Sequence, residues 1–303
     1  MSESVSAKQA LRRHGRTFSW ASTFLGRTAA DGATRLYALC RHLDDLADEP
    51  APGRRNQLQQ IHEALQKDTY PSIDPAYSHY HHLKNHGVDL HPLLHLLDGL
   101  TSDQGKVRLK DEKELLKYCY QVAGTVGLMM SGVLEVREAT ARKNALDLGM
   151  AMQMTNICRD VLEDARMGRV YLPADWIDGL TAHEIAHQHH QPKVRRTIQE
   201  AQKKLLRKAD QYYRSGALGF AALPFRARIS IRVAAVVYRE IGTQILAGRI
   251  DWWKGRSVVS TWSKLKLTID ALLKGDRLLT GRAAETPQLP RDLLQYTLLE
   301  SSS

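Results

Sequence analysis

The sequence predicts an all-α protein folded as one helical bundle. Apolar residues recur at helical spacing along most of the chain, whereas the alternating runs typical of strands are scarce. Turn-forming residues separate the helical stretches at short intervals. With 43% hydrophobic and 25% charged residues among 303, the chain has the composition of a globular protein that buries a sizeable core.

Amphipathic stretches bounded by helix breakers are predicted as the main helices. Ile198, Leu205 and Tyr212, for example, share one apolar stripe, with Lys and Arg on the opposite face. The predicted helices cover 30–46, 112–134, 143–163, 194–213 and 229–246. Proline-containing breakers lie between them, and none has the length of an interdomain linker. We therefore expect a single domain over 1–280 and a disordered tail over 281–303.

Charge and cysteine content narrow the classes of partner and compartment. Lys and Arg number 43 against 33 Asp and Glu, and this excess of +10 favours a phosphorylated substrate, an acidic lipid or nucleic acid. Cys40, Cys119 and Cys158 lie within apolar helical patterns, which indicates reduced core thiols. The N-terminus lacks the apolar core of a signal peptide, and no apolar run reaches the roughly 18 residues that span a bilayer. We expect a cytoplasmic protein, with peripheral contact at the inner membrane as the alternative.

An acidic ladder is predicted near the end of the first of these helices. Asp44 and Asp48 are four residues apart, which places their carboxylates about 5–6 Å apart on one helix face, and Arg41 lies one turn earlier. Like charges so placed repel each other, and acid near a helix C-terminus opposes the macrodipole. A solvated helix end would tolerate this arrangement; a bound cation would relieve it.

A second ladder of oxygen atoms follows in the third predicted helix. Asn156, Asp160 and Asp164 fall at positions i, i+4 and i+8, and Gln153 lies one turn before them. Ligands that are all oxygen suit Mg²⁺, which keeps waters and completes its shell with substrate phosphates, whereas zinc prefers His or Cys. Two such helices together predict a site where metal ions grip a diphosphate leaving group.

At this point the residues resemble the squalene and phytoene synthase family of head-to-head isoprenoid synthases. The family's two aspartate-rich motifs are similar to Arg41-His42-Leu43-Asp44-Asp45-Leu46-Ala47-Asp48 and to the segment from Asn156 to Asp164. The segments 118–129 and 165–173 also fit, and the resemblance extends from His14 to about Leu267. It implies an isoprenoid synthase-type bundle around a central cavity.

The resemblance also implies the reaction and its cofactor. Two geranylgeranyl diphosphates would condense head to head through a cyclopropylcarbinyl diphosphate to phytoene, in carotenoid biosynthesis. Mg²⁺, or Mn²⁺ in its place, would be required. NADPH is not expected unless the product is squalene. The protein itself would position the chains, stabilise charge and exclude water.

Site residues follow from the resemblance and from the two ladders. The expected metal ligands are Asp44, Asp48, Asn156, Asp160 and Asp164. The residues expected to act in catalysis are the four aspartates together with Tyr118, Arg41 and Arg159, because guanidinium groups match phosphate oxygens. The residues expected to bind substrate are His14, Arg16, Thr17, Tyr37, Gln153, Asn156, Tyr238 and Arg256. Each arginine could instead form a salt bridge to its neighbouring aspartate, and each tyrosine could belong to the core.

Several alternatives remain open from the sequence. The same fold could make squalene, dehydrosqualene or presqualene diphosphate from farnesyl diphosphate. Departures from the family pattern at Gln121 and Cys158 bear on the product and leave the aspartates intact. A head-to-tail elongating enzyme would be expected to carry a second DDxxD. A basic helical binding or assembly protein is the non-enzyme alternative, although no nucleic-acid signature is present.

Two further patterns are given ordinary interpretations. The histidines at 79–86 and 183–190 lie at no recognised zinc spacing and are interpreted as surface residues. The basic, amphipathic region around Trp252, Trp253 and Trp262 could rest on an acidic membrane, but packing of a last helix on the bundle is the favoured interpretation.

Overall fold

The computed structural model describes residues 16–48, 53–255, 261–276 and 279, with the side chains of all but 16–18, 48, 55, 261–265 and 274. Over these ranges most residues are helical and strands are limited to two short pieces, which confirms the predicted all-α class. The α-helices are α1 (Arg16–Ser22), α2 (Arg27–Asp48), α3 (Arg54–Gln66), α4 (Tyr77–Asn85), α5 (Pro92–Ser102), α6 (Glu112–Cys119), α7 (Thr125–Val133), α8 (Ala139–Arg159), α9 (Val161–Arg166), α10 (Ala182–Gln188), α11 (Pro192–Leu218), α12 (Phe225–Leu246) and α13 (Thr261–Lys274).

Some of the described helices begin at residues that satisfy or remove a first-turn backbone amide. The Asp111 side chain accepts a hydrogen bond from the Glu114 amide at 2.9 Å at the start of α6. Thr181 and Glu184 form a reciprocal capping box at the start of α10. Proline opens α5 and α11, where its missing amide hydrogen costs nothing.

Two of the predicted helices are interrupted. The predicted helix 112–134 is divided by a π-helical turn, Tyr120–Gly124, between α6 and α7. The predicted helix 143–163 is broken at Asp160, whose φ of −104° and ψ of 14° end α8 before α9 begins. Hydrogen bonds from the Asp160 amide to the Asn156 carbonyl and from the Asp164 amide to the Asp160 carbonyl, both 2.9 Å, carry the chain across this break. The second ladder is therefore divided between two helices, with the break at Asp160.

A two-stranded parallel sheet joins two loops that are far apart in the sequence. Strand β1 (Val107–Arg108) follows α5, strand β2 (Arg169–Val170) follows α9, and Val107 pairs with Arg169. This pairing brings the loop after α5 beside the segment after the second ladder. The sequence pattern did not predict these strands because two residues are too few to show alternation.

Helix α8 is central and packs against α7, α11 and α12. A Cβ on Gly127 would lie 2.2 Å from the Ala145 carbonyl oxygen, and one on Gly149 would lie 2.3 Å from that of Ala123. Glycine at both positions thus allows α7, with the π-helical turn before it, and α8 to approach closely. The buried apolar residues form two clusters, one between α2, α3, α4 and α5 and the other around α8.

An elongated cavity of about 420 Å³ lies among α2, α5, α7, α8, α11 and α12. Its lining on α8 runs from Ala141 to Asn156, and a separation of fifteen residues corresponds to about 22 Å at 1.5 Å per residue. The end at Asn156 is polar and is called the polar end here. The other, the deep end, is lined by apolar side chains: Leu134, Val136, Ala141, Phe220 and Leu223.

Trp252 and Trp253 agree with the favoured interpretation, which is packing on the bundle. Trp252 is 1% exposed, and the guanidinium carbon of Arg195 lies 4.4 Å from the ring centroid of Trp253. Trp262 and the tail 281–303 lie outside the described side chains. Among the residues with assigned structure, no helix is long and apolar enough to cross a bilayer.

Candidate active site

Helix α2 carries the first acidic ladder to the polar end of the cavity. Tyr37, Arg41 and Asp44 line the cavity wall. The guanidinium of Arg41 donates to Asp44 Oδ2 at 2.8 Å and lies 2.5 Å from Asp45 Oδ1. Arg41 therefore neutralises part of the acidic charge while remaining one-third exposed. The Asp48 side chain lies outside the described residues, although its backbone ends α2.

Helix α8 presents two amides to the same end of the cavity. Gln153 and Asn156 both line it, and the Asn156 amide nitrogen donates to Gln153 Oε1 at 3.3 Å. Asn156 Oδ1 is buried and accepts no hydrogen bond from any described residue. A buried oxygen without a donor is costly, and a cation aimed at it would remove that cost.

Asp160 and Arg159 form a buried, bidentate ion pair at the corner between α8 and α9. Arg159 Nε donates to Asp160 Oδ1 at 2.7 Å, and Nη2 donates to Oδ2 at 2.5 Å. Burial lowers the pKa of Arg159, but the hydrogen bond to Asp160 and its charge outweigh burial, so that the pKa rises and the guanidinium stays charged. These two side chains lie beside the cavity rather than in its lining.

Asp164 is a buried carboxyl group next to Asp160. Burial first, and then the charge of Asp160, raises the pKa of Asp164 to about 8, while Arg169 lowers it. Asp164 contacts a small hollow formed with Ile157, Tyr171 and others, separate from the main cavity. Arg169 does not offset these effects, and a divalent cation beside Asp164 would favour its charged form.

Three tyrosines line the polar end from three different helices. Tyr37 comes from α2, Tyr118 from α6 and Tyr238 from α12. Tyr238 therefore makes α12 part of the wall of the cavity beside the helices of the two ladders. Burial raises the pKa of Tyr37, which keeps its hydroxyl protonated as a donor.

Asp103 lines the cavity, and the sequence analysis did not identify it as a candidate site residue. It follows α5, is 9% exposed, lines the cavity and accepts a 2.8 Å hydrogen bond from the Tyr118 hydroxyl. The Tyr118 ring stacks on Tyr171 with centroids 4.7 Å apart. A single aspartate before Gln104 and Gly105 looks like a turn residue, so no local pattern could have identified it.

The remaining predicted residues are placed differently. His14 and Arg256 lie outside the described residues, and Arg16 and Thr17 belong to α1 with side chains that are not described. Arg239, next to Tyr238 on α12, donates to Asp210 Oδ1 on α11 at 2.7 Å.

The donor set fits the predicted magnesium. Among the described side chains, no three His, Cys, Asp or Glu come together as a ready metal site. The oxygens of Asp44, Asn156, Asp160 and Asp164 would therefore hold Mg²⁺ jointly with phosphate oxygens of a substrate, as this ion prefers. Bound there, the ion would neutralise a departing diphosphate. Arg41 and Arg159 supply positive charge at the same end, and the apolar wall excludes water.

Comparison with known proteins agrees with this geometry. A family model described as squalene/phytoene synthase matches residues 11–263. A 15-cis-phytoene synthase from Enterobacter agglomerans is 32% identical over 295 residues, covering 92% of this chain and 97% of that protein. A phytoene synthase from Thermus thermophilus is 34% identical over 276 residues, covering 87% and 90%.

A solved structure is similar to this chain as well. A dehydrosqualene synthase in complex with a ligand superposes with a TM-score of 0.78 at 26% identity, covering 90% of this chain and 97% of that one. The resemblance drawn from the two aspartate-rich segments is thereby confirmed. The chain belongs to the squalene/phytoene synthase family.

Proposed function

We propose that this chain is a prenyltransferase that condenses two geranylgeranyl diphosphates head to head into phytoene. The observation that carries the proposal is the cavity, in which carboxylate, amide and guanidinium groups at the polar end lead into an apolar channel about 22 Å long along α8. A fully extended twenty-carbon prenyl chain is about 20 Å long, with carbon–carbon bonds of about 1.5 Å. A fifteen-carbon chain would leave the deep end unfilled.

The reaction divides into two ionisations. Loss of diphosphate from the first substrate leaves an allylic cation, and the double bond of the second substrate attacks it, which releases a proton and forms the cyclopropylcarbinyl diphosphate. Loss of the second diphosphate, rearrangement and release of another proton give phytoene. No reductant enters this sequence, in contrast to squalene formation.

The chain's own residues have assigned parts in this proposal. Arg41 and Arg159 contact diphosphate oxygens, and the ring faces of Tyr37, Tyr118 and Tyr238 stabilise passing cations. Asp44, Asp48, Asn156, Asp160 and Asp164 hold Mg²⁺ or Mn²⁺. The diphosphates are also bound by residues near the two ends of the domain: His14, Arg16, Thr17 and Arg256. We take the domain as residues 1–280. The proposed location is the cytoplasm, with peripheral contact at the inner membrane as the alternative.

The names of the relatives support phytoene over the alternatives. Four relatives, all named phytoene synthases from bacteria, are 31–33% identical over 87–93% of this chain. The likeness to a dehydrosqualene synthase at 26% identity favours a second candidate, the condensation of farnesyl diphosphate. Both candidates use the same polar end and differ in the chain length that the deep end accommodates.

Product analysis tests the proposal. The purified protein is incubated with Mg²⁺ and either farnesyl or geranylgeranyl diphosphate, with and without NADPH, and the hydrocarbon is identified by mass spectrometry. We expect a forty-carbon product from geranylgeranyl diphosphate without NADPH. A thirty-carbon hydrocarbon as the main product would overturn the substrate assignment, and no hydrocarbon from either substrate would overturn the reaction.

A further inference from the structure

The connection between α11 and α12 is unusually apolar for a surface segment. Together with the last residue of α11 and the first two of α12, this connection is called the floor loop here; it covers residues 218–226 and reads Leu-Gly-Phe-Ala-Ala-Leu-Pro-Phe-Arg, with no charged residue before Arg226. Loops normally run over the surface and expose polar groups to water. The composition of the floor loop therefore calls for a physical explanation.

The inner side of the floor loop closes the cavity. Gly219, Phe220 and Leu223 line the deep end, and Phe220 is 1% exposed. The cavity therefore accounts for the apolar side chains on the inner side of the floor loop. The deep end also lies at the far end of α8 from Asn156, so the floor loop and the polar end are on opposite sides of the bundle.

The outer side of the floor loop faces away from the protein. Phe225 is 76% exposed and Leu218 is 49% exposed. Ala221 and Pro224 are exposed between them. Large apolar side chains grouped on one surface mark an interaction site more often than isolated ones do.

Basic residues hold the floor loop and surround it. Arg228 donates hydrogen bonds to the carbonyl oxygens of Ala221 at 2.6 Å and Leu223 at 3.3 Å. These bonds fix the loop so that Phe225 is presented outward. Arg226 is exposed next to Phe225 and reaches the Phe24 carbonyl at 3.4 Å. A cationic side chain therefore lies next to the exposed Phe225 at this surface.

Helix α13 adds a second exposed apolar face at the same end. Arg232 binds Asp276 at 2.6 Å, which anchors the C-terminal end of α13 beside the second turn of α12. On the outer face of α13, Leu273 is 79% exposed, and Ile269 and Leu272 are about half exposed. Lys266 is exposed one turn earlier. The face thus continues the pattern of the floor loop.

We propose that the floor loop and the outer face of α13 form a docking surface for an anionic lipid bilayer, with the deep end of the cavity directed at the membrane. Phe225 and Leu273 would enter the acyl boundary, while Arg226 and Lys266 contact anionic headgroups. The formal charge of +10 adds attraction to such a surface. A second copy of this chain is disfavoured as the partner because the same positive charges would then face each other.

Vesicle sedimentation tests the docking surface with the full chain and no substrate. We expect the protein to sediment with vesicles of phosphatidylcholine and phosphatidylglycerol, and Phe225→Ser to weaken this binding about tenfold, because about 1.4 kcal/mol corresponds to a factor of ten. Ile73→Ser is the matched control, since Ile73 is 94% exposed in a loop outside this surface. Equal binding by Phe225→Ser and the unchanged protein, or no binding by the unchanged protein, would overturn the proposal.

Two further measurements separate this proposal from its competitors. If Phe225→Ser halves the mass measured by light scattering and leaves vesicle binding unchanged, the surface joins two copies of the chain instead. The docking proposal extends the proposed function, because an insoluble hydrocarbon product belongs in lipid, but the sedimentation assay contains no substrate. Failure to form product in detergent micelles with normal vesicle binding would therefore contradict the proposed function alone.

Discussion

The hydroxyl of Tyr118 donates a 2.8 Å hydrogen bond to Oδ2 of Asp103, and both side chains line the polar end of the cavity. A hydrogen bond to a charged acceptor contributes about 1.5–3 kcal/mol. We expect Tyr118→Phe to lower kcat about tenfold, because the Asp103 carboxylate loses its donor beside the reacting diphosphate. Steady-state kinetics with geranylgeranyl diphosphate measures the effect.

Two substitutions control this prediction. Asp103→Asn should lower kcat by a similar or larger factor, whereas Asp98→Asn on the exposed face of α5 should not. Unchanged kcat in both Tyr118→Phe and Asp103→Asn would show that the pair has no part in the reaction.

Asp160→Asn should reduce product formation by about 100-fold or more, because the loss of one carboxylate removes a cation ligand and the bidentate partner of Arg159. Asp48→Asn should have an effect of the same order. Circular dichroism should detect no loss of helix in either variant. Product formation near that of the unchanged protein, in either one, would contradict the metal assignment.

Ala145→Leu should shorten the usable cavity. Ala145 lines the cavity eleven residues from Asn156 on α8, about 16 Å from the polar end at 1.5 Å per residue. The larger side chain should lower kcat/KM for geranylgeranyl diphosphate at least tenfold and leave that for farnesyl diphosphate within about threefold. Ala145→Ser, which adds little volume, should keep the original preference. An equal loss for both substrates would contradict the chain-length argument.

Asp147 should make the stability of the protein depend on pH. It is fully buried, it accepts a hydrogen bond from Ser215 at 2.5 Å, and its second oxygen has no hydrogen-bond partner in the described chain. Burial raises its pKa to about 7, although Ser215 and Lys143 oppose the shift. The folded state therefore binds this proton more tightly than the unfolded state does, so stability is lost as pH rises from about 4 to about 7.

Urea unfolding at pH 5 and pH 8 measures this dependence. A shift of about three pKa units corresponds to about 4 kcal/mol as an upper value. Asp147→Asn should remove most of the Asp147 contribution and be relatively more stable at pH 8, while Asp98→Asn should keep the original difference between the two pH values. The same pH difference in Asp147→Asn as in the unchanged protein would contradict the assignment.

Local patterns were sufficient for most of the helices and for both ladders. The stripe through Ile198, Leu205 and Tyr212 became the buried face of α11, and all three side chains are buried. Helical periodicity is a property of neighbouring residues, so it can be read without knowing the partner helix. The same holds for Asp44 and Arg41, whose ion pair lies within one turn.

The features that the sequence did not predict depend on contacts between distant parts of the chain. Asp103 reaches the site because the loop after α5 pairs with the segment after α9, and Asp160 breaks the predicted straight helix. The floor loop reads as an apolar turn, and only packing against α8 makes Phe220 the closed end of a cavity.

The sequence by itself thus determined the helical class, the family resemblance and the oxygen ligands, since each rests on spacings within a few turns. Tertiary structure alone decided which faces enclose the cavity, how long it is and which acidic group Tyr118 contacts. Those features depend on contacts between residues far apart along the chain, and these form only when the whole bundle is packed.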